Sequence, residues 1–132
     1  MNDDLKNYIR QWFLIADHDL TTAKTILHYE PMITDTACFH CQQAVEKYLK
    51  AFLIYKGATI SKTHSIDFLL KQCKAIDAEF DSIEENGLDD FAVTIRYPDD
   101  YIAPELYKAQ DYLSTAEKVK ELVLKKVDLQ GG

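Results

Sequence analysis

From Leu5 to Leu27 the apolar residues fall at Leu5, Tyr8, Ile9, Trp12, Phe13, Ala16, Leu20, Ala23 and Leu27, the three-and-four spacing that keeps one helical face dry. The pattern predicts a long first helix, interrupted at Pro31. Thr34 or Asp35 is placed to cap a second helix, which runs through CFHCQQAVEKYLKAFLIY until Lys56 and Gly57 close it. Its apolar arc comprises Cys41, Ala44, Val45, Tyr48, Leu49, Ala51, Phe52 and Tyr55. Gln43, Glu46, Lys47 and Lys50 lie opposite, and His40 sits at the border. A third helix is expected from Ser65, as its cap, through Phe68, Leu69 and Leu70 to about Lys74. A short fourth, from Asp77, would carry Phe80 and Ile83 before Asn86 and Gly87 break it.

Between Leu88 and Ala103 the pattern is ambiguous. FAVTIRY can be read as a strand, yet a lone strand has nothing here to pair with. A helical turn or extended loop ending at Pro98 fits better. Pro104 suits the first position of a last helix that places Leu106, Ala109, Leu113, Ala116, Val119, Val123 and Val127 on one side. Three long amphipathic helices and one or two short ones, joined by short connections, predict an all-α fold: an antiparallel up-and-down bundle of four to five helices. A length of 132 residues, 47% of them hydrophobic, suits one domain over residues 1–132 with a real core. It excludes disorder, collagen and low-complexity repeats.

Charge changes the picture of partners. A net charge of −7 argues against generic, charge-driven nucleic-acid binding and leaves room only for a local basic site. Asp77 to Glu105 holds ten acids and one base, Arg96, whereas Gln42 to Lys74 has six lysines against Glu46 and Asp67. The protein should therefore have an acidic end and a weakly basic flank, which as ordinary solvated faces would serve solubility alone. No apolar run approaches the ~18 residues of a membrane span, and Asp3 and Asp4 follow Met1 where a secretory leader would be basic and then apolar. The expectation is a cytoplasmic protein with no membrane contact. Cys38, Cys41 and Cys73 are too few, and odd in number, for a disulfide framework.

Candidate chemistry is sparse. Cys38, His40 and Cys41 spell C-x-H-C on a helix, but a zinc site needs about four ligands and no matching second pair exists. Small buried hydrophobes account for these cysteines better, and neither a metal nor another cofactor is expected. His40, Gln43, Lys47 and Lys50 line one edge of the second helix at three-and-four spacing, and could hold a phosphate or a base edge, or simply be solvated. His64, in the loop KTHS, is placed to cap backbone groups. RYPDD, Arg96 to Asp100, sets a planar guanidinium beside an aromatic ring just before a helix start, where an anion can sit; an internal ion pair of Arg96 with Asp99 or Asp100 is the equal alternative. No nucleotide-cradling glycine loop, HExxH or GxSxG is present. Trp12, eight tyrosines and six phenylalanines exceed what a core of this size needs, so a second copy is expected to cover some of them, or the tyrosines sit at the rim.

The residues Trp12, Ala16, Asp17, Asp19, Leu20 and Ala23, the run FHCQQAVEKYLKAFLIYKG from Phe39 to Gly57, THSIDFLL from Thr63 to Leu70, and RYPDD together resemble the HEPN domain (higher eukaryotes and prokaryotes nucleotide-binding) of small stand-alone prokaryotic proteins. The resemblance spans almost the whole chain. It implies a helical bundle that forms a homodimer, often encoded beside a minimal nucleotidyltransferase, with the HEPN protein commonly the toxin of a toxin–antitoxin pair. The better studied members are metal-independent ribonucleases that use an Arg, four to six variable residues, and then a His. Arg96 matches that Arg, but Tyr101, Ile102 and Ala103 stand at the His spacing, and His18, His28, His40 and His64 all precede Arg96. The ribonuclease assignment does not transfer, because the group that would move the proton is missing from its place.

The sequence thus points first to a nucleotide- or RNA-phosphate-binding HEPN homodimer with a nucleotidyltransferase partner and no catalytic residue of its own. Arg96 would take the phosphate, Tyr97 stack, Asp99 orient Arg96, and Lys47, His40 and His64 add contacts; Tyr97 or Tyr101 would be the acceptor if the partner modifies the chain. Two alternatives stand beside it. One is a degenerate ribonuclease with a displaced His as base. The other is a plain dimerisation and interaction module.

Overall fold

A computed structural model of the chain describes residues 1–92, 98 and 102–130. Among them are four α-helices and no strand: α1 (Asp3–Tyr29), α2 (Thr34–Tyr55), α3 (Ile66–Ile76) and α4 (Leu106–Lys126). Two 3-10 turns, Ala78–Ser82 and Leu88–Phe91, lie between α3 and α4. The architecture is the expected antiparallel helical bundle.

Local chemistry explains most boundaries. Asn2 starts α1 by accepting from the Leu5 amide at 2.8 Å, and Asp3 and Asp4 in the first turn suit the positive end of the helix dipole. α2 ends in a Schellman motif: the Ala58 amide donates to the Leu53 carbonyl (2.9 Å) and the Gly57 amide to Ile54 (3.0 Å), with Gly57 at φ +76°. Ser65 caps α3 through the Phe68 amide, as expected. Asn86 (φ +53°) and Gly87 (φ +88°) turn the chain after the first 3-10 segment. A Cβ at Gly87 would meet the Tyr112 hydroxyl at 3.0 Å, so both conformation and space favour glycine there.

Several boundaries differ from the pattern. Neither Thr34 nor Asp35 caps α2: Ile33 occupies the N-cap without a side-chain bond, and the Thr34 hydroxyl donates instead to the Pro104 carbonyl at 2.6 Å. Pro104 is therefore not the first residue of α4, which begins at Leu106 behind Glu105. The predicted short fourth helix is a 3-10 turn carrying Phe80, with Asp77 accepting from the Glu79 amide. Phe91 belongs to the second 3-10 turn and Ala92 caps its end; residues 93–97, with Arg96 and Tyr97 among them, and Asp99, Asp100 and Tyr101 lie outside the described residues.

The core gathers around α2, which buries residues on nearly every side. α1 and α4 pack on it, and α3 with the two 3-10 turns covers its remaining flank. Tyr48, Phe52, Phe80 and Tyr112 fill the interior. Tyr112 takes the place that the pattern assigned to Leu113 and Leu106, of which the first is only half-buried and the second exposed. Cys38, Cys41 and Cys73 are fully buried free thiols. Burial pushes the Cys38 and Cys73 thiols up to about 12, so they behave as small hydrophobes. At the far end of α4, Lys126 bonds Glu79 (2.6 Å) and Asp77 (2.9 Å). Both carboxyls are held below their usual range, Asp77 chiefly by the Glu79 amide and Glu79 chiefly by Lys126.

Candidate functional site

The centrality of α2 has a chemical consequence: its polar residues are not a solvated edge. Glu46 and Lys50 are buried, with side chains 4% and 7% exposed, and Gln42 is fully buried. Lone charges would not survive there, since desolvation costs several kcal/mol per ion. Each has a partner. Lys50 Nζ donates to Glu46 at 3.0 Å, and His64 Nδ1 meets the other Glu46 oxygen at 3.0 Å. Gln42 donates to the His64 carbonyl at 2.7 Å, and Gln43 donates to Gln42 at 2.7 Å. His64 is thus held by side chain and backbone on α2; it does not cap α3, a role left to Ser65.

Asp89, from the second 3-10 turn, reinforces the same corner. Its carboxylate accepts from the Ile66 amide (2.6 Å), the Asp67 amide (3.1 Å) and the Ser65 hydroxyl (3.3 Å). An acid at a helix N-terminus satisfies donors that have no partner inside the helix.

A second cluster forms on the α1 side of α2. Asp19 is buried and accepts from Lys47 Nζ (2.5 Å) and His40 Nδ1 (2.8 Å). Next to it Asp17 accepts from the Tyr48 hydroxyl (2.5 Å) and Lys120 Nζ (3.0 Å). Burial first, and then the bond to Asp17, hold the Tyr48 phenol far above its ordinary range, so it serves as a donor. The Phe39 ring packs edge-on against His40, with centroids 5.2 Å apart.

The predicted row His40, Gln43, Lys47, Lys50 is therefore divided. His40 and Lys47 do come together, on Asp19, whereas Lys50 turns to Glu46 and lies 5.7 Å from the Trp12 ring centroid. Gln43 bridges toward the Glu46 and His64 side. The anchoring residues Asp19, Glu46 and Gln42 were not among the candidates. For Asp19 a signal exists in the spacing, because it falls three residues after Ala16 and four before Ala23, on the dry face of α1. The candidates Arg96, Tyr97 and Asp99 lie outside the described residues.

What this arrangement can do follows from its donors and acceptors. A lysine ammonium has three N–H donors, of which Asp19 takes one from Lys47, leaving the others for a second acceptor such as a phosphate oxygen. A family model, described as HEPN domain, matches residues 9–127. The chain belongs to the HEPN family. Two crystal structures share the HEPN chain's fold: TT1696 from Thermus thermophilus, 27% identical with a TM-score of 0.70 over 92% of this chain and 99% of that one, and ST0689, an archaeal HEPN homologue, 23% identical with a TM-score of 0.65 over 91% and 98%. No curated protein matches significantly. Among the described residues of this HEPN chain, no helix is long and apolar enough to cross a membrane.

Proposed function

We propose that this chain is a nucleotide- or RNA-phosphate-binding HEPN homodimer, acting with a minimal nucleotidyltransferase partner as one half of a toxin–antitoxin pair. The observation that carries the reading is the Asp19 carboxylate, which holds His40 and Lys47 side by side on a half-buried stretch of α2. A buried acid that fixes two nitrogen groups pre-organises them, so a ligand meets donors that have little freedom left to lose. Phosphate is the group that Lys47 suits, and Arg96 would add the bidentate fork that an ammonium lacks. Tyr97 would stack on a base and Asp99 would orient Arg96. The net charge of −7 makes such binding local rather than generic.

Calorimetry with adenine and guanine nucleotides tests this. Binding is expected, weakened several-fold by Lys47→Met and by Arg96→Lys alike. If wild-type protein takes up no nucleotide, the chain is an interaction module and the phosphate reading fails.

A further inference from the structure

Asn86 is exposed and is followed by Gly87, a pair that is chemically labile in any flexible chain. With no side chain to crowd its approach, the Gly87 nitrogen can reach the Asn86 Cγ. Having given its proton to hydroxide, it attacks that carbon; the Cγ–Nδ2 bond breaks and ammonia leaves with a proton from water. A cyclic imide results. Water then opens it, at the side-chain carbonyl to give aspartate or at the backbone carbonyl to give isoaspartate. One water is consumed, one ammonia is released, and nothing is oxidised or reduced.

The folded turn opposes each part of that step. The peptide unit between Asn86 and Gly87 is bonded at both ends: the Asn86 carbonyl accepts from the Tyr112 hydroxyl at 2.8 Å, and the Gly87 N–H donates to Glu85 Oε1 at 3.0 Å. Ring closure turns this unit about the Asn86 Cα–C bond, which moves its oxygen and nitrogen together and breaks both bonds. The proton that must leave points at a carboxylate, and an amide anion formed beside that charge is repelled by it. Glu85 is itself fixed, because its other oxygen accepts from the Asp89 amide at 2.6 Å. Burial above all pushes the Tyr112 phenol up to about 12, so it stays a donor. The same turn aims Asp89 at the first amides of α3. Isoaspartate lengthens the main chain by one methylene and carries the carbonyl away from Tyr112. We propose that Asn86 is a deamidation site kept latent by Glu85 and Tyr112, and that its conversion to isoaspartate permanently releases the turn that caps α3.

Peptide mapping by mass spectrometry, on protein held at mildly alkaline pH, tests this. Asn86 in the folded chain should convert at least about tenfold more slowly than in the same chain unfolded in guanidinium, since only the locally opened turn reacts. Glu85→Gln, which keeps an acceptor but no charge, and Tyr112→Phe, which frees the Asn86 carbonyl, should each speed conversion several-fold. Asn2→Ala, which removes the cap of α1 far from the turn, should match wild type. The isoaspartate form, separated by ion exchange, should exchange hydrogen faster at the Ile66 and Asp67 amides than the unmodified chain. Should Tyr112→Phe fail to fold, Glu85→Gln, at a half-buried position, decides. Equal rates in folded and unfolded wild type, or a Glu85→Gln rate no greater than that of wild type or of Asn2→Ala, overturns the latency. Unchanged exchange at Ile66 and Asp67 in the isoaspartate form overturns the release of the turn.

Discussion

Glu46 shows how one residue can be misplaced by a wheel diagram and still be legible in hindsight. It stands four residues before Lys50, a spacing that often marks an exposed helical ion pair worth a few tenths of a kcal/mol. Here the pair is buried, and the energetics change accordingly. Removing one partner strands the other in a medium that cannot solvate it, so Glu46→Leu should cost about 3 kcal/mol in urea unfolding. Replacing both, with Glu46→Leu and Lys50→Met together, should restore most of that loss, because two apolar side chains leave no orphaned charge. A single-variant cost below about 1 kcal/mol would show that Lys50 escapes to water and that the pair is not structurally committed.

At the scale of elements, the second 3-10 turn has a role out of proportion to its four residues. Asp89 reaches the start of α3 and satisfies two of its free amides, so a turn that looks like a linker in the sequence acts as the helix's external cap. Caps of this kind contribute about 1–2 kcal/mol. Asp89→Ala should destabilise the protein by that amount and speed hydrogen exchange at the Ile66 and Asp67 amides, while Ser65→Ala, which removes the local cap alone, should leave those two amides better protected. Unchanged exchange in Asp89→Ala would mean that water replaces the carboxylate without loss. The same corner carries His64, so the cap also steadies the loop that presents it.

For the whole molecule, the question is what covers its exposed apolar surface. Tyr8 and Ile15 flank a shallow groove on α1 with Gln11 and Trp12. Tyr29, Met32, Ile33, Leu106 and Tyr107 are exposed as well, and Thr34 and Pro104 are tied together close to them. Burying such surface is favourable at roughly 25 cal/mol per Å², whereas bringing together two chains of net charge −7 is opposed by long-range repulsion. The apolar term is local and unscreened, so the homodimer is expected to persist at physiological salt and to tighten as salt rises. Light scattering at micromolar concentration should give about twice the 15.2 kDa of one chain. A monomer mass across that range would remove the dimer from the proposal.

The sequence by itself determined the helical class, the extents of α1 and α2 to within about two residues, the Ser65 cap and the Gly57 stop, because periodicity and capping act over one or two turns of chain. Residue types in RYPDD and in the second helix were enough to suggest the family. Which side of α2 faces water was decided only by tertiary structure. A helix with neighbours around it has no solvated face for its charges, so Glu46, Lys50 and Gln42 are paired inward, and the row that looked continuous divides between Asp19 and Glu46. Thr34 likewise lies within the first turn of α2, behind Ile33 at the N-cap, and its hydroxyl donates to the carbonyl of Pro104, seventy residues away. Such partners are set by contacts between distant segments, and no local spacing encodes them.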